Sequence, residues 1–265
     1  MADRSKLLLA AELLNIKAVK LQPEQPFTWA SGWKSPFYCD NRKTLSFPEL
    51  RTRVKLGLAN LILNEFPEAD IVAGVATGAI AQGALVAEEL AKPFVYVRPK
   101  AKDHGMGNQI EGEIEKGAKV VVVEDLISTG GSSLKAVAAL REYGVEVVGM
   151  VASFTYGFGV AAEAFENAGV KLITLTNYEA VVEAAKLHQD LADDILALVH
   201  ESEKTGEPIM RTLEYNDPHK GYAGIVDQFM LGDRYLIAPV LEQGKNSRIV
   251  HIPEGKWKRR NVYEM

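Results

Sequence analysis

A single cysteine, Cys39, stands in 265 residues. No disulfide can form within the chain, and a reducing, cytoplasmic setting is expected. The five histidines are scattered, and with one cysteine they offer no zinc-type ligand spacing. No Lys/Arg-rich run occurs, and 30 basic residues against 35 acidic ones leave a net charge of −5. Nucleic acid is therefore a poor expected partner. No stretch approaches the roughly 18 consecutive apolar residues of a bilayer span. The opening "MADRSKLLLAAELLNIKAVKL" has only a short apolar core and holds Glu12. The expectation there is an amphipathic helix, not a signal peptide, and no membrane partner. Internal repeats and low-complexity linkers are also lacking. What remains, 47% hydrophobic and 25% charged, is ordinary globular material, enough for one large domain or a domain and a smaller piece.

The apolar pattern organises this material. Residues 3–20 read as a helix begun by Asp3 or Ser5. Residues 21–46, rich in Pro, Gly, Ser and aromatics, read as a long irregular segment or short strands. From Pro48 the pattern alternates: helix 48–65, strand 70–76, helix 79–91, strand 94–98, a polar loop 99–117, strand 119–124, helix 132–143, strand 145–153, helix 160–168 and strand 171–176. Such alternation predicts an α/β fold with a parallel, doubly wound sheet. Ligands of such sheets bind at the carboxyl ends of strands, near the point where strand order reverses. Residues 179–203 read as one helix or two, and the composition shift around 186–205 is the candidate domain boundary. Beyond it helical periodicity is lost, and short β-like runs, "YLIAPVL" and "RIVHIP", sit between turn residues.

One stretch concentrates chemistry. In "VVVVEDLISTGGSSLKAV" (120–137) four valines read as a strand buried on both faces. Glu124 and Asp125 follow, then a run of hydroxyls and glycines, then helical spacing. Backbone N–H groups at a Gly-rich helix start favour a phosphate. The run is neither G-x-x-x-x-G-K-[ST] nor G-x-G-x-x-G. A sugar phosphate satisfies both halves of the stretch, because carboxylates can accept hydrogen bonds from ribose hydroxyls and favour positive charge developing on the ring. The plainer alternative is structural, with Asp125 capping the turn and Ser132 capping the helix.

This stretch resembles the phosphoribosyl-diphosphate (PRPP) signature of the type I phosphoribosyltransferases. "YVRPKAKDHGMGNQIEG" (96–112) is similar to the mobile catalytic loop of the orotate phosphoribosyltransferase family. "FTWASGWKSPFYCDNRKTLSFPELR" (27–51) is similar to that family's orotate-binding segment. The resemblance covers about residues 3–185. It implies transfer of phosphoribosyl from PRPP to orotate, giving orotidine 5′-monophosphate and pyrophosphate, in pyrimidine (UMP) biosynthesis. It implies Mg²⁺ held largely by PRPP oxygens and water, with no dedicated protein ligands. Glu124 and Asp125 would meet the ribose hydroxyls. Ser128, Thr129, Gly130, Gly131 and Ser132 would cradle the 5′-phosphate, with Ser128 also at the orotate edge. The turn Val75–Gly78, including Thr77, would approach the pyrophosphate. The reaction creates an oxocarbenium-like centre and a pyrophosphate leaving group, so it needs cations and exclusion of water. The resemblance supplies Arg98, Lys100, Lys102 and His104, with Gly105 and Gly107 allowing lid motion. In the family this loop reaches the neighbouring subunit's site, which implies a homodimer.

Three departures from the better-known bacterial branch bear on orotate. Pro99 stands where that branch has a lysine, Ala30 replaces another, and "SFTYGFG" (153–159) lacks its orotate-binding arginine. Lys34 and Arg42 are the replacement candidates for the carboxylate, and the base would stack near Phe37 or Tyr38. Two alternatives remain: a phosphoribosyltransferase for another nucleobase, or a non-catalytic PRPP-sensing regulator. The latter would be expected to have a basic extension or a degenerate loop.

From about Leu187 the chain is similar to the retaining α-glucosidase and α-xylosidase family of glycoside hydrolases, notably in "TGEPIMR", "DQFMLGD" and "APVLEQG". The similarity covers only the end of that family's barrel and the start of its next domain. The implied organisation is a transferase domain over 1–186 and an incomplete hydrolase-like fragment over 187–265. That fragment lacks the pair of carboxylates retaining hydrolysis needs, so no activity is expected of it.

Overall fold

The computed structural model describes residues 4–22, 24–28, 32, 34–99, 109–239 and 247–258. They divide into two compact units, 1–184 and 185–265.

The first unit opens with helix α1 (Arg4–Asn15), which buries Leu7, Leu9, Ala10 and Leu13. It ends earlier than the expected residue 20, and the chain turns into strand β1 (Val19–Leu21). The irregular segment that follows holds β2 (Phe27–Thr28), β3 (Lys34–Ser35) and β4 (Phe37–Cys39), then a 3-10 turn, Asn41–Ser46. β1 pairs antiparallel with β4, and β2 with β3. Helix α2 (Pro48–Glu65) starts on a proline, whose missing N–H costs nothing at a helix start. Its Leu50, Val54, Leu58 and Ile62 recur every four residues and form the buried stripe.

The alternating region then builds β5 (Ile71–Val75), α3 (Ile80–Glu89), β6 (Phe94–Val97), β7 (Ile110–Glu111), β8 (Lys119–Ile127), α4 (Gly131–Tyr143), β9 (Glu146–Thr155), α5 (Gly159–Asn167) and β10 (Leu172–Asn177). The sheet order is β10-β9-β8-β5-β6-β7. Five strands are parallel, but β7 runs antiparallel to β6, so the sheet is mixed at that edge. The sequence reading placed β7 inside a loop, because two residues carry no readable period. Val120 to Val123 are fully buried in β8, the central strand with neighbours on both sides. Val120 and Val122 share one core with Val137, Leu140 and Phe165 of α4 and α5. Alternation along the strand sends Val121 and Val123 to the other face, where α2 and α3 lie. From β5 the chain moves to β6 on one side, then returns through β8 on the other. The strand order therefore reverses between β5 and β8, and the loops after them define the crevice expected for a ligand.

Helix α6 (Tyr178–Thr205) is a single helix; its buried residues are Ala180, Val181 and Ala184. The second unit continues with β11 (Met210–Arg211), helix α7 (Leu213–Asn216), β12 (Phe229–Leu231) and β13 (Tyr235–Ile237); the three strands form one antiparallel sheet, order β11-β12-β13. Of the two β-like runs read in the tail, "YLIAPVL" contains β13, whereas "RIVHIP" forms no strand. Leu213, Met230 and Gln228 are buried there. Gln228 holds the 248–253 segment by exchanging two hydrogen bonds with the His251 backbone, at 2.6 and 2.9 Å. Val226 and Ile249 remain more than four-fifths exposed.

Candidate active site

At the carboxyl end of β8 the two carboxylates have different fates. Glu124 is buried and fully engaged: Ser133 Oγ donates to Oε2 at 2.8 Å, and the Asp125 N–H donates to Oε1 at 3.0 Å. Burial, and then the neighbouring Asp125 charge, push the Glu124 carboxyl well above its ordinary range. Asp125 is half-buried, and burial raises it too, against hydrogen bonding and the Arg42 charge, which lower it. Glu124 is thus a supported inner group and Asp125 the outer one.

Across the crevice the β5–α3 turn presses on Asp125. A side-chain carbon at Gly78 would overlap the Asp125 carboxylate, so glycine leaves that carboxylate its place. Thr77 is exposed beside it, and the Ala76–Thr77 peptide is cis. After β8, Ser128 and Thr129 are half-buried, and Gly130 adopts φ +81°, the left-handed region that glycine tolerates. Helix α4 begins at Gly131 with Gly130 as N-cap and no side-chain cap. Ser132 therefore does not cap the helix, and it stands exposed. The structural alternative fails at this residue, and among the described residues no side chain caps the first-turn N–H groups, as an anion cradle requires.

The N-terminal segment sits over this end of the sheet. The Asn41 amide donates to the Asp125 carbonyl at 3.0 Å, and Tyr156 Oη accepts from the Cys39 N–H at 3.2 Å. Burial, followed by the charges of Asp40 and Asp125, pushes the Cys39 thiol up to about 12; it is inert as a nucleophile. Phe37 is buried, edge-on to Tyr156 and Tyr178 at centroid distances of 5.7 and 4.9 Å. It anchors the segment and presents no face for a base. Tyr38 is half-buried, with its ring 5.4 Å from Phe27. Arg42 Nη2 donates to Tyr38 Oη at 3.4 Å, and its Nε pairs with Asp40 at 2.7 Å. Tyr38, Arg42 and the acidic pair therefore form one neighbourhood. Lys34 is exposed on β3, and no hydrogen bond or ion pair joins it to Tyr38 or Arg42. Arg98, just past β6, donates its N–H to the Gln109 carbonyl and accepts from the Gln109 side-chain amide, and its guanidinium makes a long 3.5 Å pair with Glu111. Lys100, Lys102 and His104, with Gly105 and Gly107, lie outside the described residues.

Sequence reasoning missed Ser133, Asn41, Tyr156 and the role of Gly78. Each acts through a contact that spacing does not reveal; Asn41 and Asp125 are 84 positions apart. Gln82 was also missed. It is buried on α3, and neither amide atom has a partner among the described residues.

A carboxylate pair under an open helix start, at the switch point of a doubly wound sheet, is the site of an enzyme that handles a phosphorylated sugar. The phosphoribosyl transferase domain model matches residues 52–187, and the chain belongs to that family. Within it the relatives are orotate phosphoribosyltransferases. The enzyme of Phocaeicola vulgatus is 69% identical over 178 residues, 67% of this chain and 84% of that protein. That of Bacteroides fragilis is 62% identical over 197 residues, 74% of this chain and 93% of the other. The crystal structure of orotate phosphoribosyltransferase from Aeropyrum pernix is 33% identical, with a TM-score of 0.60, over 68% of this chain and 98% of that one. The tail has a different affinity: residues 206–264 match the glycosyl hydrolase family 31 C-terminal domain.

Proposed function

We infer that the chain transfers the phosphoribosyl group of PRPP to orotate, yielding orotidine 5′-monophosphate and pyrophosphate in pyrimidine biosynthesis. The observation that carries this is the Glu124–Asp125 pair, closed on one side by Gly78 and on the other by the loop into α4. Asp125 holds negative charge where positive charge develops on the ribose ring, and Glu124, anchored by Ser133, fixes the main chain beneath it. Gly130 and Gly131 offer backbone donors to the 5′-phosphate. Arg42 and Tyr38 face the pyrimidine carboxylate and ring. Arg98, Lys100, Lys102 and His104 supply charge to the pyrophosphate as it leaves.

Mg²⁺ fits this arrangement as a guest of the substrate. Both oxygens of Glu124 are engaged, leaving Asp125 as the carboxylate on offer, and one or two carboxylates plus substrate phosphates is the usual setting for this ion. When bound, it would neutralise charge on the diphosphate. We further propose a homodimer in which the 99–108 loop serves the neighbouring site, a cytoplasmic location, and a tail without hydrolase activity. No helix among the described residues is long and apolar enough to cross a membrane.

The direct test is loss of orotate absorbance with PRPP and Mg²⁺, beside uracil and hypoxanthine. Turnover of orotate alone is expected; turnover of another base in its place would reassign the substrate. The shared loop is tested by mixing Lys102→Ala with Asp125→Asn. Hybrid dimers would carry one intact composite site and regain activity; none regained after confirmed subunit exchange sinks the shared loop.

A further inference from the structure

The segment that faces the base and the strand that faces the ribose are far apart in sequence and must be held in register at the site. Asn41 joins them. It is the first residue of the 3-10 turn and 6% exposed. Its Nδ2 donates to the Asp125 carbonyl at 3.0 Å, beyond Val123, where the pairing of β8 with β5 ends. Its Oδ1 accepts from Cys39 Sγ at 3.4 Å, and its own carbonyl accepts from Thr44 Oγ1 at 2.7 Å. Only the amide nitrogen can donate to a carbonyl, so this network fixes the side chain's orientation. Every polar group of the side chain is turned inward, to strand β8 on one side and β4 on the other. Asn41 is flanked by Asp40 and Arg42, an ion pair at 2.7 Å, and Arg42 is the candidate partner of the orotate carboxylate.

We propose that Asn41 is a positioning residue for phosphoribosyl transfer, setting the Asp125 main chain and the Arg42 turn in mutual register without touching either substrate. The inference rests on the transferase reading. A residue that only stabilised the fold would change the amount of folded protein. One that sets register between two substrate-binding elements changes both Michaelis constants and the chemical step, because small misplacement of a reacting group is costly in rate.

Asn41→Leu keeps the branched shape of the side chain, puts methyl groups in place of the amide atoms, and removes the donor. It is compared with Leu58→Ala, a cavity variant in the α2 core, where Leu58 is fully buried. Thermal unfolding, kcat, both KM values and calorimetric PRPP affinity are measured on the full chain. For Asn41→Leu, kcat is expected to fall about tenfold or more, with KM for PRPP and for orotate both raised. Leu58→Ala should lose stability and keep kcat within about twofold. Kinetic constants of Asn41→Leu that match the parent's, with a lowered Tm, overturn the proposal. If Asn41→Leu does not fold, Thr44→Val takes its place by freeing the Asn41 carbonyl; unchanged kcat and KM values there overturn it equally. If the parent itself does not turn over orotate, the transferase reading fails separately. PRPP affinity then decides, expected to weaken in Asn41→Leu and overturning the proposal if unchanged.

Discussion

Two adjacent carboxylates at the end of a buried strand are unfavourable for the ligand-free fold, and their chemistry follows from that. Burial raises both, so the folded chain binds their protons more tightly than the unfolded chain. This favours folding below the ordinary values of 4.5 and 3.8 and is lost as pH rises through the raised ones. Asp125→Asn removes one charge of the pair. Its Tm advantage over the parent should be small near about pH 4 and grow toward about pH 8; a gap that stays constant with pH would disprove the coupling. The same variant should lose about 2.7–4 kcal/mol of transition-state stabilisation, roughly a hundredfold or more in kcat. Turnover within about twofold of the parent would remove Asp125 from the reaction. Gly78→Ala tests the opposite wall. The added methyl displaces the Asp125 carboxylate, and kcat/KM for PRPP should fall on the order of 10²-fold, while far-UV circular dichroism stays that of the parent. Gln82 lies on the α3 face next to this turn. Gln82→Met removes an unpaired buried amide and should hold or raise Tm.

Elements differ in what their glycines do. In β9, Gly149 lets the Phe66 ring lie on the sheet, since a side-chain carbon there would overlap the ring. Gly149 lies toward the start of its strand, away from the carboxyl ends that carry the site. Gly149→Ala should therefore cost about 1–3 kcal/mol of stability through overpacking, with KM values unchanged. A shifted KM with intact Tm would show that β9 reports to the site along its length. Apart from β7, the strands and helices from Pro48 to Asn177 were legible in the sequence because each is long and clearly patterned: four valines in a row for β8, a four-residue stripe for α2. Short elements were not. β7 has two residues and takes its strand identity from its neighbour β6. The 21–46 segment reads as irregular because its order comes from Phe37 in the aromatic cluster and from Asn41 on β8, not from local propensity.

The whole molecule joins a phosphoribosyl transferase domain to a shorter segment that matches a glycosyl hydrolase domain. The buried residues of α6 stop at Ala184. The stripe beyond it is at best half-buried; Leu187, Leu191 and Val199 are intermediate, and Ile195 and Leu196 are exposed. Every residue proposed to meet substrate lies between Lys34 and Ser132, and the supporting Ser133 and Tyr156 also precede residue 186. A 1–186 fragment should therefore keep kcat and both KM values within about twofold of the full chain. It should sediment as the full chain does, reduced by the lost mass. The full chain should not hydrolyse an aryl α-glucoside, since such hydrolysis requires a pair of carboxyls that the tail is not expected to supply. A folded, inactive fragment would make the tail part of the enzyme; glucoside cleavage by the full chain would give it an activity of its own.

The sequence by itself determined the order of strands and helices, the acidic pair, the Gly-rich helix start and the change of character in the tail. These are local properties, written in period, composition and spacing. Tertiary structure alone decided which carboxylate is inner and which outer, why residue 78 is glycine, that Phe37 is packed in an aromatic cluster while Tyr38 and Arg42 lie near Asp125, and that Asn41 ties the N-terminal segment to the end of β8. Each of these depends on chain segments meeting across the crevice between β5 and β8, and a linear pattern does not encode which residues will meet there.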